Sequence, residues 1–144
     1  MLEVKEQIYL TVDNIKDQLF EMNDFIHDNP ELGNHEFKAV KLLTDFLAKN
    51  GFSIEIGLAG LPTAFKATYS HLDGGPTIGF LCEYDALEGL GHACGHNLQG
   101  PSIIGAAIAL VKNLRCMPAK IIVFGTPAEE TTGEKIRMAN AGLF

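Results

Sequence analysis

TIGFLC (residues 77–82) and KIIVFG (residues 120–125) are two mostly apolar runs of strand length, and SIIGAAIALVKNL (residues 102–114) lies between them. Apolar runs of this length are typical of strands that are buried in an α/β sheet. The middle run is small and aliphatic, and Pro101 before it suits a first helical turn. Strand, helix and strand in this order predict a right-handed βαβ unit and a parallel sheet.

The rest of the chain adds a helical N-terminal part and two more strands. Apolar residues recur at steps of three and four, which predicts an amphipathic helix over residues 3–27 that ends before Pro30. A second helix is predicted between a cap at Asn34 and Asn50-Gly51. Further strands are predicted over residues 52–56 and 63–69, and a last helix over 134–141. With 144 residues and no repeat or linker, the chain is predicted to form one domain.

The composition argues against several classes of function. The sequence has 11 Lys and Arg against 18 Asp and Glu, a formal net charge of -7, so we expect no nucleic-acid partner. The longest apolar run, residues 103–111, is about half of the ~18 residues that a membrane span needs, so we expect no membrane association. MLEVKEQIYL is not a signal peptide, and three cysteines without a pairing pattern favour the cytoplasm. Cys82 and Cys116 are predicted to be core residues.

Carboxylates follow both predicted strands of the βαβ unit at the point where each strand ends. Glu83 and Asp85 come after the first strand, and Glu129 and Glu130 come after the second. Because ligands bind at the carboxyl ends of parallel strands, these four side chains are expected at one edge of the sheet. GHACGH (residues 91–96) lies on the connection between the two strands.

His92, Cys94 and His96 stand two residues apart in this glycine-containing connection. Alternate side chains of an extended loop point the same way, so two or three of them could bind one ion. Thiolate, imidazole and carboxylate are ordinary zinc ligands, and a catalytic zinc site needs about three of them. The alternative is that Cys94 is a small buried apolar residue and the histidines are hydrogen-bonded loop residues.

The paired carboxylates also have two interpretations each. Neighbours in an extended chain face opposite ways, so one of Glu129 and Glu130 can bind a metal ion while the other accepts a proton from water. The alternative is a solvated acidic pair at a helix start. Glu83 and Asp85 share one face, and they can orient a ligand histidine or bind metal directly. The alternative there is an exposed loop pair.

Four segments in this order resemble a known family: HDNPELGNHEFKA (27–39), EYDAL (83–87), GHACGHN (91–97) and TPAEE (126–130). The family is that of the aminoacylases and glutamate carboxypeptidases, family twenty of the metallopeptidases, and the chain is most similar to its subfamily D amidohydrolase branch. The resemblance covers nearly the whole chain. It implies a three-layer α/β/α sandwich with a mostly parallel or mixed sheet.

The resemblance also implies a metal centre and its substrates. The implied residues are the metal ligands Cys94, His96 and Glu130, the general base Glu129, and Asp85 near the metal. From their positions in the sequence, Glu83 and His92 are also predicted to lie near the metal. One or two divalent ions, zinc or manganese, would activate the water that Glu129 deprotonates. The substrate would be the amide bond of an N-acyl amino acid, an aminobenzoyl-glutamate-like compound or a dipeptide, and the full-length protein would be a homodimer.

Two features depart from the usual family pattern. Asn97 stands where many members of the branch have aspartate, as in the subgroup similar to aminobenzoyl-glutamate hydrolases. Family members are more than twice this length, and their further metal-binding histidines follow the Glu-Glu motif, whereas no histidine follows His96 here. Residues 1–144 are therefore expected to be the N-terminal portion of the catalytic domain, without the inserted dimerisation domain and the C-terminal part. We expect this portion alone to be weakly active or inactive.

Two rival functions stay open at the level of sequence. The first is a truncated, non-catalytic metal-binding or interaction domain with the same fold. The second is a cysteine hydrolase that uses Cys94 with a nearby histidine. A thiolate nucleophile gains nothing from an adjacent Glu-Glu pair, which weighs against the second.

Overall fold

The computed structural model describes residues 3–144, which form a four-stranded sheet and four α-helices. The helices are α1 (Val4–Asp28), α2 (Phe37–Lys49), α3 (His96–Lys112) and α4 (Lys135–Asn140). The strands are β1 (Ser53–Ile56), β2 (Phe65–His71), β3 (Thr77–Cys82) and β4 (Ala119–Gly125). Each helix and strand expected from the sequence is present, although some of their ends differ from the prediction.

The sheet is mixed, with the strand order β1-β2-β4-β3. The strands β3 and β4 are parallel neighbours joined through α3, which confirms the predicted βαβ connection. The pairings of β1 with β2 and of β2 with β4 are antiparallel, so the expectation of a parallel sheet holds for one pair only. Cys82 pairs with Gly125, and the two parallel strands therefore end level with each other.

Apolar side chains cover both faces of the sheet, because alternate residues of a strand point to opposite sides. Ile121 and Val123 of β4 belong to the main core, together with residues of α1, α2 and α3. Ile122 and Phe124 point to the other face, where they form a smaller cluster with Met138 of α4. Helices therefore lie on both sides of the sheet, in agreement with the predicted α/β/α layers.

The helix α3 begins at His96, six residues before the predicted start at 102. Gly95 stands at its N-cap with a left-handed φ of +87°, and the amides of Leu98 and Gln99 donate to the Gly95 carbonyl at 3.0 and 3.1 Å. Pro101 lies inside the helix, where its ring removes one amide donor without ending the helix. His96 is consequently a helical residue, and the expectation of an extended loop up to this position is wrong.

The helix α2 is not capped by Asn34, contrary to prediction. Asn34 has a left-handed φ of +65°, and its side-chain amide donates to Glu134 at 3.4 Å. The carboxylate of Glu31 instead accepts from the amides of Lys38 at 2.9 and 3.0 Å and of Ala39 at 3.0 Å. A carboxylate brought back by the preceding loop thus satisfies the unpaired amides of the first turn.

The two cysteines predicted to be core residues differ. Cys82 is fully buried, as expected, whereas Cys116 is exposed in the connection between α3 and β4. Cys116 stands in a run of three exposed residues, 115–117, that follows the buried Leu114. No helix within residues 3–144 has the length and apolarity to cross a bilayer.

Gly125→Ala should destabilise the protein by about 1–3 kcal/mol, because a Cβ atom at this position overpacks the β2–β4 pair. The added Cβ would lie 2.1 Å from Cδ1 of Phe65, the cross-strand partner of Gly125. Gly79→Ala is the matched control, because its Cβ would lie 3.7 Å from the Phe124 ring, an ordinary contact. Urea unfolding measures both, and equal losses of unfolding free energy would contradict the predicted clash.

Candidate metal centre

The residues that follow the parallel strands β3 and β4 lie at one edge of the sheet. The amide of Thr126 donates to the Cys82 carbonyl at 2.8 Å, and the Thr126 hydroxyl donates to the same oxygen at 3.2 Å. These bonds keep the two chains together for one residue beyond the last strand pair. The segments that carry Glu83 and Glu129 therefore leave the sheet side by side.

Three side chains of metal-binding type meet at this edge. One donor atom from each of Cys94, His96 and Glu130 lies within 4.8 Å of the other two. Cys94 occupies the turn before α3, His96 is the first residue of α3, and Glu130 lies in the turn after β4. The left-handed Gly95 between the first two makes this turn sharp, because glycine adopts positive φ without strain. The three residues predicted to be ligands are thus neighbours in space.

Asp85 is fully buried and contacts all three of these residues. Its Oδ1 lies 2.7 Å from Nδ1 of His96, and its Oδ2 accepts from the amide of Glu130 at 2.9 Å. Its backbone carbonyl lies 3.7 Å from Sγ of Cys94. With Nδ1 donating to Asp85, Nε2 of His96 is left as the nitrogen that can bind a metal.

The contact between His96 and Asp85 shifts the pKa of both residues. The hydrogen bond to Asp85 raises the pKa of His96 above its ordinary range and outweighs the opposing effect of burial. Burial alone would raise the pKa of Asp85, but the bonds from His96 and from the Glu130 amide outweigh it and lower that pKa. The pair is therefore ionised over a wide pH range when no metal competes for His96.

A second polar cluster, formed by Glu83, Lys135 and Glu129, adjoins the first. Nζ of Lys135 lies 2.6 Å from Oε2 of Glu129 and also contacts Oε1 of Glu83. The other oxygen of Glu83 is 2.9 Å from Nε2 of His96, which is 3.5 Å from Oε1 of Glu130. Burial alone would lower the pKa of Lys135, but its bonds to Glu129 and Glu83 outweigh that effect and raise it.

Lys135 is the residue of this region that the sequence interpretation missed. It is the first residue of α4, where a positive charge is unfavourable next to the helix dipole. The sequence pattern that could have predicted its role is a lysine at a helix start shortly after an acidic pair, because a positive charge there needs a nearby carboxylate.

His92 lies beside the centre but does not join it. Its side chain is buried, and neither ring nitrogen has a hydrogen-bond partner among residues 3–144. Burial, followed by the nearby charge of His96, lowers the pKa of His92. Of the three residues predicted to be near the metal, Asp85 and Glu83 contact the candidate ligands through their carboxylates, whereas the ring of His92 forms no hydrogen bond to them.

The donor set of Cys94, His96 and Glu130 fits a divalent ion. It combines a thiol sulfur, an imidazole nitrogen and a carboxylate oxygen, which are the three donor types that zinc accepts in proteins. The site is partly open, since Glu130 is exposed whereas His96 is buried. An ion held here would keep one side accessible to a small molecule.

Comparison with known proteins finds peptidases and hydrolases as relatives, although no protein-family model matches the chain. The chain is 39% identical to the Xaa-Arg dipeptidase of Mus musculus over 145 residues, covering 92% of this chain and 34% of the dipeptidase. It is 32% identical to one of the subunits of the p-aminobenzoyl-glutamate hydrolase of Escherichia coli over 162 residues, covering 96% and 33%. The chain thus spans about a third of the length of these curated relatives.

A solved structure has the same fold. It is a dinuclear metal-binding peptidase of the M20 family from Bacillus subtilis, with a TM-score of 0.78 and 26% sequence identity. The match covers 91% of this chain and 40% of that one.

Asp85→Asn should lower the pKa of His96 toward its ordinary value in the metal-free protein, because the carboxylate stabilises the imidazolium. In the wild type, the raised pKa of His96 means that its charge stabilises the folded state at low pH, and this contribution is lost as the pH rises through that pKa. The lowered pKa of Asp85 means that its own contribution is lost as pH falls through that value. Histidine ring resonances in an NMR titration measure the shift.

Asp45→Asn is the control for this titration, because Asp45 pairs with Lys41 at the surface of α2, away from the centre. It should leave the pKa of His96 unchanged. The same His96 pKa in the wild type and in Asp85→Asn would contradict the prediction.

Proposed function

The chain belongs to the M20 family of metallopeptidases, and we propose that it forms part of a metal centre that hydrolyses amide bonds. The observation that carries the proposal is the meeting of Cys94, His96 and Glu130 within 4.8 Å at the end of two parallel strands. The named activities of the relatives, a dipeptidase and an aminobenzoyl-glutamate hydrolase, support small amides as substrates. We propose an N-acyl amino acid, an aminobenzoyl-glutamate-like compound or a dipeptide.

In this proposal Cys94, His96 and Glu130 hold a divalent ion, zinc or manganese, with one or two ions at the complete centre. Such an ion acts as a Lewis acid, polarising the amide carbonyl and lowering the pKa of water. Asp85 fixes the ring of His96 by accepting from Nδ1, so that Nε2 faces the other donors. The same carboxylate fixes the backbone at Glu130.

We assign the general base to Glu129. Its side chain is 38% exposed, so it can meet water and substrate while Glu130 serves as a ligand. The carboxylate accepts a proton from the attacking water and returns it to the leaving amine. Lys135 restrains that carboxylate by its bond at 2.6 Å, and Glu83 anchors Lys135 from the other side.

A cysteine hydrolase is less consistent with the surroundings of Cys94. A nucleophilic cysteine needs a lowered thiol pKa, as beside a positive charge or at a helix N-terminus. Here burial, with the nearby carboxylates of Glu130 and Asp85, raises the pKa of Cys94 in the absence of metal.

The organisation of the whole protein is also a proposal. We infer that residues 1–144 are the N-terminal portion of the catalytic domain, which agrees with relatives about three times as long. We also propose that the full-length protein is a homodimer; the Escherichia coli relative is named as a subunit, which supports an oligomer. A cytoplasmic location would suit three free cysteines, one of them exposed.

Glu129→Gln should retain bound metal but lower kcat by about 100-fold or more, because the amide cannot accept the proton. Glu130→Gln should instead lose metal, since it removes a ligand. Elemental analysis of the natural protein and turnover of a dipeptide and N-acyl amino acid panel measure the two effects.

The matched control is Glu134→Gln, which changes a nearby acidic residue bonded to Thr132 and Asn34 rather than to the centre. It should leave both metal content and turnover unchanged. Full turnover by Glu129→Gln would reject the base assignment. Bound metal without hydrolysis of any amide in the wild type would favour the non-catalytic metal-binding alternative.

A further inference from the structure

The segment 29–36 belongs to a motif of the sequence that the proposed chemistry does not use. It lies against both strand ends of the metal centre. The amide of Ala86 donates to the Glu31 carbonyl at 2.9 Å, and Leu32 forms an isolated parallel bridge with Ala86. On the other side, a Cβ atom added at Gly33 would lie 2.7 Å from Cβ of Ala128 and 2.5 Å from Oγ1 of Thr131. The segment is therefore packed directly under the turn that carries Glu129 and Glu130.

Glu36 ends this segment with a fully buried carboxylate. Its Oε1 accepts from the amide of Ala128 at 2.8 Å, and its Oε2 accepts from the hydroxyl of Thr63 at 2.7 Å. Burial raises the pKa of this carboxyl, although these hydrogen bonds act in the opposite direction. A carboxylate in such a position is costly unless its oxygens are bonded, so its two partners are held firmly.

Ala128 needs such a bond because its backbone is strained. Its φ is +56°, a left-handed value that residues other than glycine adopt at a cost. The Ala128 carbonyl accepts from the amide of Gly133 at 2.8 Å, which closes the turn on its far side. The strained residue is thus fixed at its amide by Glu36 and at its carbonyl by the turn itself.

Two buried carboxylates hold this turn on either side of Glu129. Glu36 binds the amide of Ala128, the residue before Glu129, and Asp85 binds the amide of Glu130, the residue after it. Both carboxylates are fully buried. Two alternate amides of the turn are therefore hydrogen-bonded by carboxylates from distant segments: Glu36 precedes α2, and Asp85 follows β3.

We propose that Glu36 is a positioning residue: its carboxylate fixes the Ala128 amide and thereby sets where Glu129 and Glu130 stand. The roles of these two glutamates rest on the proposed function, whereas the hold of Glu36 on the turn does not. Thr63 completes the arrangement by occupying the second carboxylate oxygen, which leaves the first directed at Ala128.

The first test is amide hydrogen exchange of residues 126–131 in the metal-free protein. Glu36→Leu removes both acceptor oxygens at similar volume, and it should speed exchange of the Ala128 and Glu130 amides by about tenfold or more, relative to β4. Glu36→Gln keeps an oxygen for Ala128 and should restore exchange to within about threefold of the wild type. Unchanged protection of the turn in Glu36→Leu would overturn the proposal.

Thr44→Val is the control for a general loss of stability. Thr44 is a buried residue of α2 whose hydroxyl donates to the Val40 carbonyl at 2.7 Å, away from the turn. It should change exchange evenly over the molecule. A selective loss of protection at residues 126–131 in Thr44→Val, as large as in Glu36→Leu, would also overturn the proposal.

The second test is zinc affinity, measured by competition with a chelating dye under conditions where each variant is folded. Glu36→Leu should bind zinc about 10–100-fold more weakly, the usual loss when the support of a ligand is removed. If Glu36→Leu does not fold, Glu36→Met provides the same test, because it also removes both carboxylate oxygens and keeps an unbranched side chain like that of glutamate. Wild-type affinity in the folded variant would overturn the proposal. A wild type that binds no zinc would reject the proposed function, and the exchange result would still decide the role of Glu36.

Discussion

The buried carboxylate of Asp85 is the constraint on which the arrangement of the centre depends. It contacts the ring of His96 with one oxygen and the backbone amide of Glu130 with the other. An ionised carboxylate inside a protein is costly unless both oxygens are bonded, so the buried Asp85 favours the arrangement in which α3 and the turn after β4 both reach it. The parallel register of β3 and β4 makes this geometry available, because Cys82 and Gly125 end the two strands at the same level. Residues 45 positions apart in the chain thus become neighbours through a single side chain.

The charges around Asp85 explain why a cation suits this place. Four carboxylates, those of Glu83, Asp85, Glu129 and Glu130, gather around one lysine and one imidazole. Like charges at close range are unfavourable, and Lys135 and His96 relieve this only in part. A divalent ion between Cys94, His96 and Glu130 would offset the remaining negative charge, and Glu129 would stay beside it with access to water. The negative charge around the site and the types of its donor atoms therefore both favour a divalent cation.

The sequence predicted the elements and the meeting of the strand ends, because both depend on local patterns. Apolar runs defined β3 and β4, and the rule for parallel strands placed Glu83, Asp85, Glu129 and Glu130 at one edge. What the sequence missed depends on contacts between distant residues. The helix α3 starts at His96 because Gly95 before it has a left-handed backbone. The free amides in the first turn of α2 are bonded by Glu31 rather than by Asn34. Lys135 pairs with carboxylates on two other segments. The buried role of Glu36 was equally hidden, since its partners Thr63 and Ala128 lie 27 and 92 residues further along the chain.

The most direct measurement is X-ray absorption at the zinc edge of the zinc-loaded protein. A centre built on Cys94, His96 and Glu130 predicts one sulfur neighbour at about 2.3 Å together with nitrogen and oxygen neighbours at about 2.0–2.2 Å. The sulfur contribution should disappear in Cys94→Ser and persist in Cys116→Ser, which changes the exposed cysteine outside the centre. A zinc ion surrounded only by nitrogen and oxygen in the wild type, or a sulfur signal that survives in Cys94→Ser, would contradict this centre.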